Sequence, residues 1–325
     1  MNIVLNIIFL LIGFAALIKG ADFFVDGSAS LARLFKVPGV IIGLTIVAMG
    51  TSAPELAVST SAAIQGSNEI ALSNVVGSNL FNLLMVLGVC ALIHPLPVDR
   101  GIIKRDFPFS VVVSVFVFAA VALGLFQIAD FSQFGMQTTV GVLGIPIGIV
   151  LLAVFAAYLV YLIMHARKNK TDEPQEKPLP VWKSILLIAV GLACIIIGGQ
   201  VVVENAKVIA AAFGMSETLI GLTVVAVGTS LPELVTSIVA SRKGENGLAI
   251  GNVIGSNLFN MLLILGVSST IHPIAVNLAS LIDLGILIIV SVAAMVFALT
   301  KKVSRAEGLA MVLFYVATVV FAIVR

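Results

Sequence analysis

The chain has 325 residues, 60% of them hydrophobic and only 10% charged, with a mean hydropathy of +1.19 and a formal net charge of +2. That balance excludes a soluble globular domain and describes an integral membrane protein. No basic block with interleaved aromatics points to nucleic acid, and Cys90 and Cys194, alone in separate apolar runs, make neither a disulfide framework nor a zinc site.

A membrane span needs about 20 predominantly apolar residues. The first apolar run covers 3–31; it has no basic lead and no small-residue cleavage site, and it is too long for a signal-peptide core, so it reads as a span. Further runs follow at 38–65, 69–93, 104–125 and 139–165, and then at 181–208, 218–241, 247–271, 279–300 and 304–324. The expected fold is an all-α membrane protein of about ten transmembrane helices. The polar stretch HARKNKTDEPQEKPLP divides it into a first five-helix repeat (1–165), a cytoplasmic linker (166–180) and a second five-helix repeat (181–325).

Fifteen of the 18 Lys and Arg residues fall in alternate loops, around Arg33, Arg100–Arg105, Arg167–Lys183, Arg242–Lys243 and Lys301–Arg305. The excess of basic residues on cytoplasmic loops then places these in the cytoplasm and both termini outside. The expected location is a membrane, with the chain a monomer, the bilayer its surroundings and no protein partner evident.

The halves are copies. Residues 43–95 align with 221–273 at a constant offset of 178, and 31 of 53 positions are identical. Each half has an odd number of spans, so the copies must run in opposite orientations, as in the inverted repeats of secondary transporters.

Two motif pairs carry the polar content. The first is Gly50-Thr51-Ser52-Ala53-Pro54-Glu55, repeated as Gly228-Thr229-Ser230-Leu231-Pro232-Glu233. Proline removes a backbone donor and clashes with the preceding turn, so each span should break here, leaving the carbonyls of Ala48 and Ala226 without helical partners. Ser52 with Glu55, and Ser230 with Glu233, also fit a capping box. Capping accounts for the spacing but not for the charge, since glutamine caps as well and a charged side chain at the bilayer centre costs about 3 kcal/mol.

The second pair is Asn74, Ser78 and Asn82, repeated as Asn252, Ser256 and Asn260, three polar groups on one helix face, with Gly77 and Gly255 allowing close approach of another backbone. Interhelical hydrogen bonding is the alternative reading, above all for Asn74 and Asn252. Asn79 and Asn257 lie about 100° around the helix and read as packing groups. The two copies together bring two carboxylates and a set of hydroxyl and amide oxygens toward one midplane site. Oxygen donors without His or Cys favour Ca2+, Na+ or Mg2+.

Through GTSAPEL with GSNLFN and GTSLPEL with GSNLFN, the chain resembles the calcium/cation antiporter superfamily, and most of all its prokaryotic sodium/calcium exchangers. The resemblance covers nearly the whole chain and makes the expected location a prokaryotic inner membrane. It implies a cluster of cation sites at the bundle centre, with alternating access produced by the first and sixth spans sliding against the rest. It further implies Glu55 and Glu233 as principal ligands, with Thr51, Ser52, Thr229, Ser230, the Ala48 and Ala226 carbonyls, Ser78, Asn82, Ser256 and Asn260 completing the cluster. Some relatives, potassium-dependent exchangers among them, carry Asp at the position of Asn260, so Asn here leans toward a potassium-independent type.

The expected function is a secondary active antiporter that exchanges Ca2+ for Na+ at one shared site, with no enzymatic activity and no cofactor. Na+ is implied by the resemblance; the residues alone leave protons open, which makes a Ca2+/H+ antiporter the alternative. A passive cation channel and an intramembrane acid hydrolase are disfavoured, the first by the single central acid pair and the second by the lack of a nucleophile. Lys19, Asp22 and Asp26 read as a pairing group at the cytoplasmic end of the first span, with Glu204 in the position of Asp26 in the second copy. His94 and His272 read as interfacial helix terminators.

Overall fold

A computed structural model of the chain describes residues 3–66, 68–124, 135–168, 177–214 and 226–324. In chain order the helices are α1 (Ile3–Phe35), α2 (Gly39–Thr51), α3 (Ala53–Ile64), α4 (Ile70–Ile93), α5 (Ile102–Ala122) and α6 (Ile145–Lys168). They are followed by α7 (Val181–Ala212), α8 (Ala226–Thr229), α9 (Leu231–Arg242), α10 (Asn246–Ile271), α11 (Leu278–Ala298) and α12 (Arg305–Val324). Among the described residues, eight helices are long and apolar enough to cross a membrane, or nine if α2 and α3, bent by 50° at their junction, count as one span. The first part of the seventh expected span lies outside the described residues.

The fold departs from a purely helical one. Four short strands form two antiparallel pairs: β1 (Leu96–Pro97) with β4 (Lys302–Val303), and β2 (Thr139–Leu143) with β3 (Ile274–Asn277). The fifth expected span therefore starts late, at Ile145, because 139–143 pairs with β3 instead of continuing a helix. These strands are at most five residues long, too short for an alternating pattern to stand out from the flanking apolar runs. At the other end, α6 runs to Lys168, into the expected linker.

The bundle is apolar on its outer face as well as in its core. Large apolar side chains of α1, α6, α7 and α12 face outward, whereas the buried set includes Glu55, Glu233, Asn252, Asn260 and many serines and threonines. Within its most apolar stretch, α10 is 94% buried and α4 72%, against 11% for α12. The two helices that carry the asparagine motif are thus the axis of the bundle.

Contacts between the copies are reciprocal. Offset by 178, Gly13 corresponds to Gly191 and Gly20 to Gly198. A Cβ on Gly20 would lie 2.8 Å from the Gly191 carbonyl oxygen, and one on Gly198 would lie 2.9 Å from the Gly13 carbonyl oxygen. The antiparallel pair α1 and α7 can meet backbone to backbone only because these positions lack side chains. Likewise Gly88 of α4 meets Gly308 of α12, while Gly266 of α10 meets Gly148 of α6. The strand pairs obey the same exchange, since β1 and β3 are equivalent segments that each pair with the strand preceding the last helix of the other copy.

Three loops rich in basic residues are tied together at one end. Arg33 pairs with Glu245, and Lys243 lies 2.7 Å from Asp26 and 3.4 Å from Asp22. The Leu179 amide at the end of the linker donates to Ser30 Oγ at 2.8 Å. Lys19 also reaches Asp22 at 3.5 Å, as the sequence spacing suggests. Helices α4 and α10 end at Ile93 and Ile271, where His94 and His272 turn to extended backbone with φ of −146° and −147°.

Candidate functional site

The break in the first motif falls at Ser52. Helix α2 loosens into a π-helical turn at Gly43–Val47, retightens over Ala48–Thr51 and stops, and α3 restarts at Ala53 with Pro54 in its first turn. The second copy stops at Ser230 and restarts at Leu231 with Pro232. Proline needs no amide partner in a first turn, so it starts each half-helix cleanly. Glu55 and Glu233 sit in those first turns, beside the positive end of a helix dipole.

Two expectations are corrected here. The Ala48 carbonyl does not lack a partner: it accepts the Ser52 amide at 3.0 Å and Thr51 Oγ1 at 3.4 Å. Helical bonding therefore persists up to the break at Ser52. In the second copy the Ser230 amide donates to the Val227 carbonyl, three residues back, at 3.2 Å. The capping box does not form either. Neither Ser52 nor Ser230 caps its own helix; each turns its hydroxyl to the other copy.

Ser52 Oγ donates to Glu233 Oε1 at 2.7 Å, and Ser230 Oγ donates to Glu55 Oε1 at 3.1 Å. From the axial helices, Ser78 Oγ donates to Glu55 Oε1 at 3.4 Å and Ser256 Oγ to Glu233 Oε1 at 3.3 Å. Each carboxylate thus holds one oxygen in a fork of two serines, one from each copy. Both glutamates are fully buried, and the other oxygen of each, Oε2, has no partner among the described residues. Among the described residues no basic side chain pairs with either carboxylate.

Thr51 Oγ1 donates to Asn252 Oδ1 at 2.9 Å and lies 3.5 Å from Ser256 Oγ. Among the described residues its counterpart Thr229 Oγ1 is buried without a partner, as are both polar atoms of Asn82 and Oδ1 of Asn260. Asn82 and Asn260 lie in matching π-helical turns, Phe81–Val86 and Asn260–Ile264, which widen the axial helices at the same depth; such turns are frequent at functional sites. The structure therefore gathers two hydrogen-bonded sets, Glu55 with Ser78 and Ser230, and Glu233 with Ser52, Ser256 and Thr51, each drawing a serine from the opposite copy; oxygens of Thr229, Asn82 and Asn260 with no partner among the described residues lie on the same elements. The side chain of Ala226 lies outside the described residues.

Asn74 and Asn252 do not bond to the carboxylates. Asn252 Nδ2 donates to Ser237 Oγ at 3.0 Å and to the Glu233 carbonyl at 3.4 Å; Asn74 Nδ2 does the same with Ser59 Oγ at 2.9 Å and the Glu55 carbonyl at 3.3 Å. They fasten each glutamate-bearing half-helix to its axial helix. Ser59 and Ser237 escaped the sequence reading, although each lies four residues after a glutamate, on the same helix face. Gly255 permits the close approach expected of it, since a Cβ there would lie 2.7 Å from Leu44 Cα, whereas Gly77 faces no atom within 4 Å among the described residues.

Chemically the site is a buried set of hard oxygens with two acids and, among the described residues, no basic side chain paired with them. Uncompensated burial of charge costs several kcal/mol per ion, so this arrangement is complementary to a metal cation.

The profile of the sodium/calcium exchanger protein family matches residues 5–164 and 183–324. The chain is 34% identical over 348 residues to the sodium/calcium exchanger MaX1 of Methanosarcina acetivorans, covering 98% of each chain. It is 34% identical over 299 residues to the inner membrane protein YrbG of Escherichia coli, covering 87% of this chain and 85% of that one. A solved structure of the sodium-calcium exchanger NCX_Mj, soaked with zero Na+ and Ca2+, superimposes with a TM-score of 0.82 at 31% identity and covers all of both chains.

Proposed function

The chain belongs to the sodium/calcium exchanger family, and from that premise we propose that it is a secondary active antiporter exchanging Ca2+ for Na+ by alternating access at one midplane site. The family is one of membrane transporters, not enzymes. The observation that carries the reading is the pair of fully buried carboxylates, Glu55 and Glu233, supplied by opposite copies and forked by serines of both.

The electrostatics make exchange obligatory. With Ca2+ between them the two acids are neutralised. When Ca2+ leaves, two unpaired charges remain in a low-dielectric chamber, and sealing that chamber without a counter-ion is opposed by several kcal/mol per charge. Na+ ions restore neutrality and permit the return stroke. The ligand set is Glu55, Glu233, Thr51, Ser52, Thr229, Ser230, Ser78, Ser256, Asn82 and Asn260 with the Ala48 and Ala226 carbonyls. An amide at 260 instead of a carboxylate keeps the acid count at two, which suits one divalent cation or two monovalent ones.

The architecture behind this is about ten spans in two inverted repeats, supported by the reciprocal contacts between copies and the odd number of spans in each. The gathering of basic loops at one end supports a cytoplasmic position for that end and an outside position for both termini. The glycine-lined pair α1 and α7, packed as one unit, is the element that slides. One chain holds the complete site, so a monomer suffices.

Purified protein reconstituted into liposomes with an imposed Na+ gradient, pH clamped equally on both sides, tests the reading. It predicts Ca2+ uptake against its gradient that stops when the Na+ gradient is collapsed. Uptake that ignores Na+ and follows an imposed proton gradient would replace it with Ca2+/H+ exchange.

A further inference from the structure

We infer that Asn79, outside the ligand set, is a positioning residue that sets which end of the Asn260 side chain faces the cation. A carboxamide has two unlike ends. Its oxygen coordinates a hard cation; its NH2 carries partial positive charge and repels one. An asparagine ligand is therefore useful only if something fixes its amide.

The structure supplies that fixture. Asn79 and Asn257 are each 1% exposed and face one another across the contact between the axial helices α4 and α10. Asn79 Nδ2 donates to the Asn257 carbonyl at 3.3 Å, and Asn257 Nδ2 donates to the Asn79 carbonyl at 3.4 Å. A backbone carbonyl can only accept, so it dictates which end of the Asn79 amide points at it. Oδ1 of Asn79 must then point the other way, where it accepts Asn260 Nδ2 at 3.0 Å. With its nitrogen committed, Asn260 leaves Oδ1 as its unpartnered atom, fully buried and one helical turn from Ser256, which itself bonds Glu233. The chain of orientation runs from a main-chain carbonyl that cannot flip to an oxygen of the proposed ligand set.

The other copy serves as an internal control. By the offset of 178, Asn257 Oδ1 should accept Asn82 Nδ2. Here it does not: Asn257 Oδ1 and both polar atoms of Asn82 are buried without partners among the described residues. The structure thus holds one amide preset and its twin unset, with the difference lying in the bond that Asn79 makes.

The test is equilibrium Ca2+ binding to the purified full-length chain in a two-by-two set. Asn79→Leu, which keeps the volume and removes the acceptor, weakens Ca2+ binding about tenfold, the size expected for losing one oriented buried polar contact. In an Asn260→Asp background the same change does not weaken binding, because both carboxylate oxygens are ligands and no orientation is required. Equal weakening in both backgrounds, or none in the Asn260 background, overturns the positioning role. If Asn79→Leu does not fold, Asn79→Ala is read by the same comparison. The inference rests on the antiporter reading for its choice of Ca2+; an intact chain that binds no Ca2+ would overturn both, whereas equal loss in the two backgrounds removes only the role of Asn79.

Discussion

Ser52, on the last turn before the break in the first copy, donates its hydroxyl to Glu233 of the second copy at 2.7 Å. The reciprocal bond from Ser230 to Glu55 makes each broken helix the support of the opposite acid. Hydrogen bonds to charged groups contribute about 1.5–3 kcal/mol, so Ser52→Ala should weaken Ca2+ binding by about tenfold or more. Combined with Glu233→Gln, the serine change should add almost nothing further, since its acceptor charge is already gone. A titration of Ca2+ against the four proteins of this cycle checks it; additive losses would mean that Ser52 acts elsewhere.

Removing the acids themselves should separate folding from function. Glutamine matches glutamate in shape and leaves the serine fork an acceptor, so Glu55→Gln or Glu233→Gln should insert and fold normally. Either should abolish Ca2+ exchange, because one remaining carboxylate cannot neutralise a divalent cation. Monodispersity in detergent together with vesicle flux reads both halves of the statement, and full exchange by either variant would return the glutamates to a structural role.

The linker end of the bundle is clasped by ion pairs that the repeat does not carry in its other copy. Lys243 binds Asp26 and Asp22, and Arg33 binds Glu245; the offset of 178 maps Lys243, Asp22 and Arg33 onto Gln65, Gln200 and Ala211, which cannot form these ion pairs. Lys243→Gln should therefore favour opening at the linker end. The two pairs that Lys243 makes are partly exposed and worth about 0.5–1 kcal/mol together, so the shift should be about two- to fivefold. Single-molecule distance measurements across that end should show it at low salt. In 1 M salt, where screening acts within about 3 Å, the variant and the parent should converge; a difference that persists there would rule out an electrostatic clasp.

The contact of α1 with α7 has no room for a side chain. A Cβ on Gly191 would lie 2.5 Å from the Phe24 amide nitrogen and 2.7 Å from the Gly20 carbonyl oxygen, so even Gly191→Ala requires the helices to separate. Overpacking of this kind costs about 1–3 kcal/mol. The variant should unfold at a lower temperature than the parent, whereas Gly214→Ala, at a turn with φ of +82° and no atom of the described residues within 4 Å of the added Cβ, should show only a local backbone penalty of about 1 kcal/mol. Equal thermal midpoints for Gly191→Ala and the parent would contradict the close packing.

The parts of this protein that were legible in its sequence are those where physics leaves a strong periodic or compositional mark. Spans follow from runs of apolar residues, and the breaks at Ser52 and Ser230 follow from proline placed after glycine in a membrane-length run. The repeat made Glu55 and Glu233 stand out as a matched pair. Partner identity was harder to read. Ser-x-x-Glu is consistent both with a local cap and with a serine that reaches across to another helix, and only the fold decides between them. Asn79 and Asn257 looked like packing groups because helical spacing describes one helix at a time, while their role arises where α4 crosses α10. The strands at Leu96–Pro97 and Thr139–Leu143 left no pattern of their own, since pairing with distant segments defines them.

On the proposed reading, Glu55 and Glu233 jointly hold one divalent cation that Na+ displaces. Anomalous diffraction from crystals grown with Ca2+, and again after transfer to Na+, tests it most directly. The account predicts a Ca2+ peak about 2.3–2.6 Å from carboxylate oxygens of both residues, absent after the transfer. A peak that touches neither glutamate or only one, or one that Na+ leaves unchanged, would contradict it.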